Sequence, residues 1–284
     1  MPTKRIYHYT NVESLALILK TRKLRFTRLD GVDDIHEAQA HAGIDFGKFF
    51  FVSCWTQQAE ESIPQWSMYS HEMQGVRLEL PEFPFPREPL RPLPGWTGFN
   101  IQGECLSPIP SEALFGPSYF ILPSFLTPEQ FAGPVDYVNN VSDFYARAIK
   151  REVQPNGHVD MNINGLYLLP RKKSIEWRFQ DEYRFSLYIM SLFPVPNADP
   201  GTESYFRSPT FQNISNGFIN NIDPGITHID IPLSPGAFQD FVVRTGPLAT
   251  PGAKTCVEAL VAQFAPSVRI EQSALNGAVR YRGR

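Results

Sequence analysis

Residues Glu176–Met190 read EWRFQDEYRFSLYIM, and the rest of the chain can be arranged around them. The stretch opens polar and then alternates with a period of two. Tyr183, Phe185, Leu187 and Ile189 fall on one face of an extended segment, and Glu182, Arg184, Ser186 and Tyr188 on the other. The apolar face suits a core. The opposite face begins with a carboxylate and a guanidinium, and such a face either meets solvent or lines a cleft. Trp177, Arg178, Gln180 and Asp181 crowd just upstream, in a chain that is only 19% charged, which weighs against plain solvent exposure.

Working outward, Phe49–Trp55 (FFFVSCW) is a continuous apolar run of strand length and suits a buried central strand. Ile6–Thr10, Leu24–Thr27, Gly75–Leu80, Val135–Tyr137, Ile226–Ile231, Phe241–Arg244 and Val268–Gln272 read as further strands. Thr10 or Asn11 caps a helix over Val12–Lys20, whose apolar residues recur at helical spacing. Ile63–His71, Ser142–Glu152 and Lys254–Phe264 are the other helices expected. Asp30–Glu37 reads as a carboxylate-rich loop leading into a short helix, and Asn197–Pro224 as loop with little regular structure. Pro81–Pro94 holds six prolines, so neither a helix nor a central strand is expected there, but an exposed extended loop. Strands and helices mix without regular βαβ alternation, which predicts an α+β fold. No composition shift cuts the chain, so 1–284 reads as a single domain with a Pro-rich insertion at about 81–134.

The net charge of −3 offers no whole-chain field for nucleic acid or an anionic membrane. Cys54, Cys105 and Cys256 lie far apart without metal-ligand spacing, so no disulfide scaffold and no zinc site is expected. Asp30, Asp33, Asp34 and Glu37 do not match a calcium loop, and no metal is expected. No phosphate loop, dinucleotide fingerprint or nucleophile elbow is present. No apolar run is long enough to span a membrane, and the expected location is cytoplasmic.

Three constellations carry chemistry. The first is Tyr7-His8-Tyr9-Thr10, a strand end before a helix start, where His8 and Thr10 share a face and could hydrogen-bond one ligand. Taken alone, His8 reads more readily as a core histidine and Thr10 as a cap. The second is Cys54-Trp55 followed by Gln65-Trp66-Ser67-Met68-Tyr69. Trp66 and Tyr69 share a helical face and could clamp a flat ring, or could be ordinary core packing. Cys54 follows an apolar run and is expected to be buried and inert. The third is Gln180-x-Glu182-x-Arg184, which presents an amide, a carboxylate and a cation on one strand face. Its alternative is a surface charge ladder.

In this order the YHYT start, Val52-Ser53-Cys54-Trp55, Trp66-Ser67-Met68-Tyr69, Gly75-Val76-Arg77-Leu78-Glu79 and the late Glu176-Trp177…Glu182-x-Arg184 resemble a widespread bacterial family of unknown function. The resemblance runs from Tyr7 to about Met190. It departs at Gln180, where the family usually has Glu, and at Asp33-Asp34-Ile35, where it usually has Asn-Asp-Pro. The start is also similar to that of the ADP-ribosyltransferase superfamily, notably the DNA-targeting ADP-ribosyltransferase toxins. His8-Tyr9-Thr10 and the Ser14–Leu19 helix segment carry that likeness, while Arg22-Lys23-Leu24 lacks the family's glycine.

This second resemblance implies a split mixed or antiparallel sheet with flanking helices, and NAD as substrate. It implies cleavage of the nicotinamide–ribose bond and transfer of ADP-ribose to nucleic acid, protein or water. By position the catalytic residues would be His8, Tyr69 and Glu182. Ligand contacts would come from Tyr7, His8, Thr10, Trp66, Tyr69, Gln180 and Arg184, with Arg184 holding Glu182 ionised or meeting the pyrophosphate. A toxin or phage-defence setting with an antitoxin or defence partner would fit. The alternative is a non-catalytic binding or regulatory module on the same fold. An isosteric Gln at position 182 is expected to keep the fold and remove NAD cleavage.

Overall fold

The computed structural model describes residues 4–96, 105–123, 127–157 and 159–280. The elements that build the main sheet and its helical cover are, in chain order, β1 (Arg5–Thr10), α1 (Val12–Thr21), β2 (Lys23–Arg28), β3 (Phe50–Thr56), α2 (Ile63–Tyr69), β4 (Val76–Pro81), β5 (Tyr119–Leu122), β6 (Ala132–Pro134), α3 (Val141–Ala148), β7 (Glu182–Ser191), β8 (His228–Pro232), β9 (Val242–Thr245), α4 (Pro251–Phe264) and β10 (Arg269–Gln272). Among the described residues the main sheet runs β6–β7–β3–β1–β4–β9–β10, with β5 added on β7, β2 on β3 and β8 on β2. The β9–β10 pair is parallel and the other pairs are antiparallel, so the sheet is mixed.

Strands β3 and β7 sit between two cores. Phe51 and Trp55 join Phe185, Leu187 and Ile189 in one core, closed by Leu15, Ile18 and Leu19 of α1 and by Val257 and Val261 of α4. Phe50 and Val52 join Tyr188 and Met190 in the other, under Val141, Tyr145 and Ala148 of α3. Burial on both faces explains why β3 reads as an unbroken apolar run rather than an alternation. It also decides between the two readings of the charged face of β7. That face does not meet solvent: Arg184 is 0% exposed and Ser186 is buried.

Several local expectations change for identifiable reasons. The described part of Pro81–Pro94 contains no helix, but it is not simply exposed. Phe85 is 2% exposed and packs on Phe26, Phe131 and Phe185 at ring-centroid distances of 5.8, 5.4 and 5.0 Å. Fixed proline φ angles keep the backbone extended and free this side chain to reach the core. The segment to Pro134 also contributes β5 and β6, which pair with β7, while 97–104 and 124–126 lie outside the described residues.

The Ser142–Glu152 helix stops at Ala148, and Ile149–Val153 instead pairs with Val159–Ile163. After Glu37, Ala40–His41 first pairs with Ile44–Asp45, and the short helix that follows is a single 3-10 turn at Phe46–Lys48. Asn197–Pro224 is not structureless. It holds short helices at Glu203–Phe206, Pro209–Gln212 and Ser215–Ile219, the first two capped by Thr202 and Ser208. Tyr205, Phe206, Phe211 and Phe218 anchor this segment by burial. No helix of the described residues is long and apolar enough to cross a membrane.

Candidate functional site

The site begins where the sheet forks. One edge of β3 pairs with β7 from Glu182↔Thr56 to Tyr188↔Phe50. The other edge meets β1 only at Tyr7↔Thr56, and β2 only at Thr27↔Val52 and Arg28↔Phe51. Between these contacts β1 departs with β4 and β2 with β8. Helix α1 connects the diverging strands, its start fixed by Asn11, whose side chain accepts from the Ser14 amide at 2.7 Å. A cleft of about 410 Å³ opens here, lined by β1, α1, β2, β3 and the start of β7.

Had the β1 ladder continued, Tyr9 would face Cys54, two steps from Tyr7↔Thr56. Instead the His8 imidazole takes the Cys54 carbonyl, with Nδ1 2.8 Å from the oxygen. A carbonyl only accepts, so Nδ1 carries the proton and Nε2 keeps its lone pair. Burial pushes the His8 pKa down, and the bond to Cys54 offsets this only in part. His8 is therefore a neutral imidazole at neutral pH. Its ring also packs on Trp55, 5.1 Å between centroids.

Glu182 lines the same cleft but is held from behind. Arg184 Nε donates to Glu182 Oε1 at 2.7 Å and Lys173 Nζ donates to Oε2 at 3.1 Å. Lys173 also meets Glu37 at 3.0 Å, and Arg184 Nη1 pairs with Glu37 and with the Pro170 carbonyl, the latter at 2.6 Å. All four side chains are buried, and the two acids balance the two bases. Burial alone would raise the Glu182 carboxyl; Arg184 and Lys173 outweigh it and hold its pKa well below the usual carboxylate range. Cys54 lies between the two: its backbone carbonyl meets His8, and the Glu182 carboxylate acts on its thiol. Cys54 is half-buried rather than buried, and burial beside a carboxylate pushes its thiol pKa up, away from a reactive thiolate.

Tyr69 closes another side. Its hydroxyl donates to Asp33 Oδ2 at 2.6 Å, and Gln180 Nε2 donates to that hydroxyl. Burial and Asp33 push the Tyr69 pKa up, so the phenol keeps its proton. Gln65 Nε2 holds the Gln180 carbonyl at 2.9 Å, tying α2 to the turn before β7.

The cleft thus brings together Tyr7, His8, Thr10, Tyr69, Gln180 and Glu182. Two expected ligand contacts lie elsewhere. Trp66 is 0% exposed, packs edge-on against Tyr9 and donates its indole N–H to Glu61 at 2.9 Å, so it is a core residue. Arg184 does not line the cleft; four oxygen contacts behind Glu182 consume it, and a pyrophosphate could not reach it.

Sequence reasoning missed Lys173, because no pattern links it to Glu182, and the role of Glu37, because its partners Lys173 and Arg184 lie far along the chain. Glu37 stood only as one of four loop carboxylates. These now have separate partners: Asp30 pairs with Arg28, Asp33 with Tyr69, Asp34 with the amides of His36 and Ser174, and Glu37 with Lys173 and Arg184. Among the described residues no His, Cys, Asp and Glu group is placed to hold a metal ion. No family model matches the chain, and neither does a curated protein or a solved structure.

Proposed function

We propose that the forked cleft binds NAD and cleaves its nicotinamide–ribose bond, passing ADP-ribose to water or to a macromolecular acceptor. The observation that carries this reading is that His8 and Glu182 line one cleft on either side of Cys54 at the fork, a neutral imidazole and an ionised carboxylate. Breaking an N-glycosidic bond sends the electron pair to the leaving nicotinamide and builds positive charge on the ribose. A carboxylate fixed in its ionised form can stabilise that charge without reorganising. Held ionised by Arg184 and Lys173, Glu182 suits this electrostatic role and not that of a general acid. The His8 Nε2 lone pair would accept a hydrogen bond from a ribose hydroxyl. The Tyr69 ring, held by Asp33 and Gln180, would pack on the nicotinamide.

A second reading, a ligand-binding module without catalysis, is favoured by one observation. Both Glu182 oxygens are already engaged, and the four-residue cluster around it is neutral, which weakens the field at the cleft. Incubation with NAD separates the two readings. Release of free nicotinamide, followed by chromatography, supports cleavage; saturable NAD binding with no release supports the module; neither result leaves the NAD reading without support.

A further inference from the structure

We propose that Gln180 is a preset hydrogen-bond acceptor that selects ligands presenting an N–H edge, such as a primary carboxamide, over the matching carboxylate. The observation is an orphan. Gln180 lines the cleft and is only 5% exposed, yet its Oε1 is buried and has no hydrogen-bond partner. Buried side-chain oxygens are nearly always satisfied, so an exception at a cleft marks a place for a donor.

Donor logic fixes which end of the amide is left over. The Tyr69 hydroxyl gives its one proton to the Asp33 carboxylate, which only accepts. The remaining lone pairs on that hydroxyl can then take a proton, and Gln180 Nε2 supplies it. Turning the amide over would set Oε1 against an oxygen with no proton to offer. The backbone is held as well. Gln65 Nε2 donates to the Gln180 carbonyl at 2.9 Å, and Asp181 closes the turn with φ of 43°. Gln180 therefore cannot turn over to satisfy itself, and its acceptor stays unpaired and closed off from solvent until a ligand donor parts the atoms that cover it.

A carboxamide N–H answers this acceptor, whereas an ionised carboxylate would place lone pairs against Oε1. The choice of nicotinamide as the ligand rests on the NAD reading; the acceptor character of Gln180 does not.

The test measures binding by calorimetry to two probe pairs, nicotinamide against nicotinic acid and adenine against unsubstituted purine. The wild-type chain is expected to prefer nicotinamide to nicotinic acid by about tenfold, the worth of one buried hydrogen bond. Gln180→Met keeps the length of the side chain with no donor and only a weak thioether acceptor, and should bring the two affinities together. Gln180→Leu, which also lacks both groups, should do the same and carries the test if the Met variant does not fold. A Gln180-dependent preference for adenine over purine, with none in the pyridine pair, would uphold the acceptor and count against NAD cleavage. If neither pair shows a preference that depends on residue 180, absence of binding included, the proposal is overturned, while nicotinamide release from NAD still scores the cleavage reading independently.

Discussion

His8 Nδ1 lies 2.8 Å from the Cys54 carbonyl oxygen, in the position a backbone amide would hold if β1 and β3 stayed paired. A side chain thus completes the sheet where the ladder stops, and the same ring faces the cleft. Stability and site chemistry are coupled through one imidazole.

His8→Phe is expected to leave the Cys54 carbonyl without its donor and to cost about 1–3 kcal/mol of stability. His8→Gln, whose amide can donate, should recover part of that loss. The pH dependence has a defined sign. The folded-state pKa of His8 is lowered, so its contribution is complete above the unfolded value of about 6.5 and is lost as pH falls through the folded value. Urea midpoints measured from neutral to mildly acidic pH should therefore fall faster for the wild type than for His8→Gln. Parallel curves would show that the imidazole is not held neutral.

Glu182→Gln was expected from the sequence to be a quiet isosteric change. The structure reverses that expectation. With Glu182 neutral, Lys173 and Arg184 share Glu37 alone, leaving a net positive charge in a buried cluster. Breaking such a network costs about 3–5 kcal/mol. The Glu182 pKa is lowered from 4.5 to about 2, so its contribution is present above the unfolded value and lost as pH falls toward the folded one. The stability gap between wild type and Glu182→Gln should stay constant above about pH 5 and close below it, toward pH 2. A gap unchanged across that window would mean that Glu182 is not ionised in the fold. Under the NAD reading, nicotinamide release per folded molecule should also fall by about a hundred- to thousandfold.

Trp66→Phe separates core from cleft. The substitution removes the indole contact to Glu61, which keeps Ser273 and the Ala274 amide as partners, and trims the packing on Tyr9. A loss of about 1–3 kcal/mol is expected, with probe binding per folded molecule unchanged. A shift in ligand affinity larger than about threefold at equal folded fraction would return Trp66 to the site.

The alternation of Phe185, Leu187 and Ile189 was legible because one core takes all three side chains. The other face misled because its cover comes from distant segments. Arg184 is neutralised by Glu37, 147 residues away, and no local pattern announces that pairing. Tyr188 and Met190, both in the second core, were the sequence's only hint that this face is also buried. The convergence of His8 with Glu182 has a similar origin. Each sits in a short motif, but the fork that joins them arises from β1 and β2 competing for one edge of β3. Trp66 and Tyr69 share a helical spacing that suggests a common fate. The helix instead divides them, with Trp66 turned into the core and Tyr69 lining the cleft.

Phe85→Ala tests whether the proline-rich segment is a strap rather than a passive loop. Phe85 is 2% exposed and its ring meets Phe83 of its own segment and Phe26, Phe131 and Phe185 of three others. Phe185 lies on β7, one position beyond Arg184, and faces the core opposite the ionic cluster. Removing the ring leaves a cavity that this rigid backbone cannot easily refill, because the flanking Pro84 and Pro86 restrict φ on both sides. The expected loss is about 3–5 kcal/mol, read from the denaturant midpoint at constant slope. Phe83, partly buried at the edge of the same cluster, is the comparison: Phe83→Ala should cost clearly less. Equal and small losses, within about 0.5 kcal/mol of the wild type, would show that the segment lies on the surface without bracing it.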